Sequence, residues 1–205
     1  RVLMPRMMEV FGRRERIEDI RSFIIYPTRL AGLGYAGLVV AGAFASDVVF
    51  GAWLTKYAPG LLPTKIMLLG TYFLSVWTTV HPFFLAIRQQ RYLLYCFLAS
   101  ILLAVTLFAV VISLGWGLSG IAVAATVTDV IFGTAALALA YSFFMSLRDR
   151  VLEILRVFAP LPLAVALGAA CEGVRHLAGL SEDAVAGGLL SLVLFCVIFG
   201  LSTFL

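Results

Sequence analysis

Charge is what this chain has least of. Asp, Glu, Lys and Arg make up 13% of its 205 residues, against 62% hydrophobic, where soluble domains run closer to a quarter and a half. So few charges cannot wet the surface of a globule this size. That excludes an ordinary soluble domain and implies an integral membrane protein with lipid as its exterior. Signatures of chemistry are lacking too. There is no HExxH, no GxSxG and no P-loop, so no enzyme activity, cofactor or metal is expected. Gly115, Gly117 and Gly120 have neither the lysine nor the strand of a phosphate loop, and are expected to form a tight turn into a helix. The three cysteines, Cys96, Cys171 and Cys196, form no CxxC pair and fall inside apolar runs, as small core or lipid-facing residues do. Nothing resembles a signal peptide. The first residue is Arg and the last stretch, "FCVIFGLSTFL", has no polar tail, so the chain is expected to be a piece of a longer one.

What is present is a set of six apolar stretches, at 30–54, 66–87, 92–114, 117–146, 157–178 and 184–205, each near the ~20 residues that one crossing needs. The expected architecture is all-α, with six transmembrane helices. Lys and Arg test the layout. Of fifteen, twelve fall in segment 1–29, the turn 88–91 and the link 147–156; Lys56, Lys65 and Arg175 fall on the other side. This asymmetry predicts that the first side, and both ends of the chain, are cytoplasmic. The net charge of +4 is therefore a topology signal, and no nucleic-acid partner is expected. Within 9–26, Ile17, Ile20, Phe23 and Ile24 recur at helical spacing among charged residues, which predicts an amphipathic helix along the cytoplasmic surface, ended by Pro27. The link 147–156 is expected as a cytoplasmic connector.

The second span has two chemically distinct faces. At about 100° per residue, Thr71, Ser75, Thr78 and His81 share one side, continued by Arg88; Leu69, Phe73, Val76, Val80, Phe83, Phe84 and Ile87 cluster on the other. The polar face is expected to line a cavity or a helix interface, and the apolar face to meet acyl chains. Pro82 is expected to kink the helix beside His81. Asp129 lies about 18 Å into its span, near the midplane, on a stripe with Ala122, Ala125, Thr126, Gly133, Ala136 and Ala140. A charge there costs at least about 2.5 kcal/mol, so Asp129 is protonated, paired, or a cavity group for a cation or proton. Asp47 and Glu172 lie near outer ends, Glu172 within reach of Arg175. Glu172 and His176 at i, i+4 lack a third metal ligand. Trp53 and Trp116 fall where an aromatic belt is expected.

Three stretches carry a resemblance: "LMPRMMEVFGRRERIEDIRSFI", "VVFGAWLTKYAPGLLPTKIMLLG", and "LAIRQQRYLLYCFLAS" followed by "GWGLSGIAVAATVTDVIF". In order and spacing they resemble the C-terminal half of polysaccharide flippases, the O-antigen and lipid-linked oligosaccharide transporters of the multidrug/oligosaccharidyl-lipid/polysaccharide exporter superfamily. The resemblance covers roughly residues 1–146; the last two spans would be the extra pair of fourteen-helix members. It implies two pseudo-symmetric six-helix bundles around a central cavity in the cell inner membrane, with a polyprenyl-linked glycan crossing by alternating access. Implied partners are that substrate, an N-terminal half and the polysaccharide polymerase machinery. Cations for the lipid diphosphate would come from that other half, or from Arg29 and Arg88 at the cytoplasmic rim. The alternatives are an ion-coupled multidrug exporter of the same superfamily, which Asp129 would suit, and a membrane scaffold subunit.

Overall fold

The computed structural model describes residues 21–177 and 184–204, which are helical and contain no strand. The helices are α1 (Ser22–Ala52), α2 (Leu61–Ala86), α3 (Gln90–Ser113), α4 (Gly117–Ser142), α5 (Leu147–Phe158), α6 (Pro160–Leu177) and α7 (Ala184–Phe204), with a short 3-10 turn over Thr55–Gly60. Five stretches are long and apolar enough to cross a membrane: α1, Thr55–Ala86, α3, α4 and Leu147–Val174. The 21 residues of α7 form a further apolar helix. The chain is an all-α membrane protein.

Two boundaries differ from expectation, for physical reasons. Helix α1 runs through Pro27 instead of starting beyond it. Proline removes a single N–H, which deprives only the carbonyl four residues back near the start of the helix, and the helix continues beyond it, where the Thr28 hydroxyl donates to the Ile24 carbonyl at 2.6 Å. Residues 9–20 of the expected amphipathic helix lie outside the described residues, and its remainder belongs to α1. The link 147–156 has a structure of its own. It is helical and continues into the next span: Ala159 keeps helical dihedrals (φ −54°, ψ −33°) and donates to the Leu155 carbonyl at 2.8 Å, so that Leu147–Val174 forms one span interrupted at Pro160. The start of α5 carries a local cap signal that the sequence reading did not use. The Ser146 hydroxyl accepts from the Asp149 N–H at 3.3 Å, with Asp149 in the first turn and Arg156 in the last, an N-cap plus charges that suit the helix dipole.

The helices pack as a bent row. Helix α4 lies between α3 and α2, α2 lies between α4 and α1, and α1 carries α7 and α6 on its far flank, with α5 reaching α4 and α1. The tightest seams are set by glycine. A side chain at Gly133 of α4 would strike the Phe73 carbonyl of α2, and one at Gly70 of α2 would strike Asp129 and Thr126. Across the same seam the Thr126 hydroxyl donates to the Ile66 carbonyl at 2.9 Å. Small residues allow such approach, and without a hydrophobic drive in lipid, approach is what holds helices together. Helix α3 is peripheral; its buried residues are Leu93 and Val111.

Two tight turns close opposite ends of the row with the same bond pattern. After α3, the Trp116 N–H reaches the Val111 carbonyl (3.2 Å) and the Gly115 N–H the Ile112 carbonyl (3.1 Å), with Gly115 at φ +68°. This is the expected glycine turn into α4. After α2, the Gln89 N–H reaches the Phe84 carbonyl (3.0 Å) and the Arg88 N–H the Leu85 carbonyl (3.2 Å), with Arg88 at φ +57°. Both are Schellman closures, one built on glycine and the other on arginine. We term the end holding Arg88, Arg91 and the start of α5 the basic end, and the other the far end.

Candidate functional site

Helix α2 carries the polar face that the sequence marks, and its orientation is inverted on one side. Val76, Val80, Phe83 and Phe84 are fully buried and Ile87 nearly so. They do not meet acyl chains; they form the core of the row, Phe83 and Phe84 against Phe143 just past the end of α4. Of the expected apolar face only Leu69 is exposed, and Phe73 packs partly buried against Tyr72 and Phe158. The opposite face points out of the row. Thr71 and Thr78 are exposed, and Ser75 and His81 half-buried. Their hydroxyls are tied back to the helix: Thr71 to the Leu68 carbonyl, Ser75 to that of Thr71 and Thr78 to that of Ser75, each at 2.7 Å. A hydroxyl so bonded can stand in an apolar or a polar medium, since its donor is already used. His81 turns its ring edge-on to Trp77, centroids 5.7 Å apart. The helix continues through Pro82 without a break.

Asp129 does not join that face. It sits half-buried in the α2–α4 seam beside Gly70, about a quarter turn around α2 from Thr71. Its own face is the stripe of small residues, with Ala122, Gly133, Ala136 and Ala140 buried, while Val127 and Ile131 point away and are exposed. Its carboxylate makes no hydrogen bond or ion pair among the described residues.

The two rim cations part company. Arg29 is not available to an incoming anion. Its guanidinium grips the Glu153 carboxylate of α5 at 2.6 and 3.0 Å, and Arg156 holds the same carboxylate at 2.7 Å. A bidentate arginine–carboxylate pair is among the strongest polar contacts. Around it, Thr28 meets Thr79 at 3.1 Å, and the Tyr72 hydroxyl donates to the Val157 carbonyl at 2.9 Å. Glu153 was missed by sequence reading because it lies in a charged link, 124 residues from its partner. Arg88, by contrast, is exposed and makes no ion pair among the described residues.

At the far end Lys65 of α2 bridges both oxygens of Asp47 of α1, at 2.6 and 2.9 Å. Glu172 of α6 lines the same space. The side chains of Arg175 and His176 lie outside those described. Trp53 and Trp116 are exposed in the far-end turns. Among the described residues no three His, Cys, Asp or Glu side chains gather as a metal site. Compared with family models, curated proteins and solved structures, the chain matches none.

Proposed function

We propose that the chain is a transmembrane transporter that flips a polyprenyl-linked oligosaccharide across the cell inner membrane by alternating access, with the basic end cytoplasmic. The observation that supports this reading is the outward polar face of α2. Thr71, Ser75 and Thr78 point away from the buried core formed by Val76, Val80 and Phe83. A glycan path would run along this outer side of the row, between it and a second bundle, and Arg88 would stand at its basic-end mouth. Polar faces in lipid turn to protein or to a wet cavity, and a hydroxyl-lined path suits a neutral, hydroxyl-rich head group.

The test pairs two substitutions on one helix in the full-length protein. Thr78→Trp should leave membrane abundance unchanged and stop a polyprenyl-linked oligosaccharide from reaching a lectin added outside reconstituted vesicles. Val76→Trp should lower abundance, because overpacking a core typically costs about 1–3 kcal/mol. Full transport by Thr78→Trp would defeat the path along this face of α2, and no transport by the unsubstituted protein would leave a scaffold role. An ion-coupled exporter of the same superfamily is a second reading, supported by the Asp129 carboxylate, which meets no partner among the described residues: Asp129→Asn would then abolish ion-driven efflux, and the unsubstituted protein would flip no glycan. Sidedness is checked with single cysteines replacing Gln90 and Ala58 in a cysteine-free background; labelling from the same side overturns it.

A further inference from the structure

Helix α5 has three faces, and one alone is covered by protein. Glu153 and Val157 are buried against the row, with Glu153 in the grip of Arg29 and Arg156. A second face carries Leu147, Val151 and Leu155, spaced i, i+4, i+8 and all exposed. The third lies one residue on: Arg148, Leu152 and Arg156, at the same spacing and also exposed. At about 100° per residue the two exposed stripes run side by side along the helix.

The charges on this helix do not cancel. Glu153 brings one negative charge and two arginines hold it, so the cluster keeps a positive surplus. The carboxylate side chain retains 10% of its surface, while that of Arg156 retains 63%. Arg148 makes no hydrogen bond or ion pair among the described residues. Asp149 accepts the Ser146 hydroxyl at 2.8 Å. Arg29, Arg148, Arg150 and Arg156 thus stand against Asp149 and Glu153 alone, four charges against two. Depth puts the surplus at a boundary. The span Leu147–Val174 has 28 residues, or about 42 Å of helix, against a hydrocarbon core of about 30 Å. Counting about 20 residues back from Glu172, at the far-end charges, reaches Leu152. Arg148 then stands in the head-group layer. Arg156 starts about one turn deeper, and its bond to Glu153, three residues earlier, draws its guanidinium back toward that layer.

We infer that the two exposed stripes form a binding surface for anionic phospholipid in the leaflet at the basic end. Head-group phosphates meet Arg148 and Arg156, and acyl chains lie along Leu147, Val151 and Leu155. Charge complementarity selects the class. Phosphatidylglycerol brings a net negative charge to a face with an excess of arginine. In phosphatidylethanolamine and phosphatidylcholine the head group carries its own cation, which offsets the phosphate and opposes the arginines. The free guanidinium of Arg148 can take a phosphate by two parallel N–H bonds. The aliphatic stripe selects the source: a soluble anion would leave Leu147, Val151 and Leu155 uncovered, whereas a lipid covers them. The surface does not depend on what the chain transports.

The experiment places a photo-crosslinking side chain at Leu152, between the two arginines, and for comparison at Leu98, exposed on α3 in the same half of the membrane. The full-length protein is reconstituted in vesicles of equimolar phosphatidylglycerol, phosphatidylethanolamine and phosphatidylcholine, irradiated, and the lipid adducts identified by mass. Position 152 should capture phosphatidylglycerol at least threefold above position 98. Arg148→Gln with Arg156→Gln should reduce that excess to the level of position 98; Arg29 still holds Glu153 in this variant, so the clasp stays closed. Arg148→Lys with Arg156→Lys, which keeps the charge, should retain at least half of the excess. A millimolar excess of inorganic phosphate should not compete. Equal head-group distributions at 152 and 98, enrichment of phosphatidylethanolamine or phosphatidylcholine at 152, survival of the excess in the glutamine variant, its loss in the lysine variant, or displacement by free phosphate would each overturn the assignment.

Discussion

The two ends of the row each hold an ion pair between α1 and another helix, and the pairs are built for different ends. At the basic end Glu153 is nearly buried and gripped by two arginines. At the far end Asp47 and Lys65 hold each other over open cavities. The first pair fixes α5 to α1. In the second, both partners remain reachable. Proximity of opposite charges therefore does not tell a fastener from a looser contact; the surrounding volume does.

Removing one partner from each pair should magnify the contrast. Glu153→Ala leaves Arg29 facing the bundle uncompensated and should cost on the order of 2–3 kcal/mol, below the full penalty for a buried pair because Arg29 is partly exposed. Thermal unfolding in detergent would read this as the largest loss of any single substitution at the two ends. Arg29→Met with Glu153→Leu should recover most of it, since a packed apolar pair replaces a buried ionic one at little cost. A double variant as unstable as Glu153→Ala would mean that the pair holds α5 by more than its charges. The turns give an intermediate effect. Gly115→Ala should destabilise by about 1–2 kcal/mol, the cost of the left-handed region for a residue with a Cβ. Arg88→Gly should stabilise by a similar amount, the same measurement showing opposite signs at the two ends. Lys65→Met should be the mildest, roughly 0.2–1 kcal/mol, as for exposed pairs. A loss comparable to that of Glu153→Ala would show the far-end pair to be a fastener as well.

How far the sequence could be read depends on the medium around each residue. The spans were legible because lipid demands long apolar runs, and the glycine turn at Gly115 because only a residue without a Cβ takes φ +68° freely. The facing of α2 was half legible. Thr71, Ser75 and Thr78 mark one side, but Val76 and Val80 are equally at home in lipid and in a core, so hydrophobicity could not say which they face. In water that ambiguity does not arise. Helix α5 was hidden by the same rule. Leu147 and Leu155 are 71% and 61% exposed while Glu153 is buried, the reverse of an amphipathic helix in solution. Arg148, Asp149, Arg150, Glu153 and Arg156 also crowd one short link, which makes it look like a loop. The Ser146–Asp149 cap was the local signal that could have revealed it. Arg29 looked like a free cation because nothing near it in sequence announces Glu153.

That separation has a consequence for how the protein is made. Glu153 leaves the ribosome 124 residues after Arg29, which at about 5–20 residues per second is roughly 6–25 s later. For that interval Arg29 has no Glu153 to hold. The clasp closes only when α5 arrives, so this contact between α1 and α5 is made after α2, α3 and α4 have been synthesised.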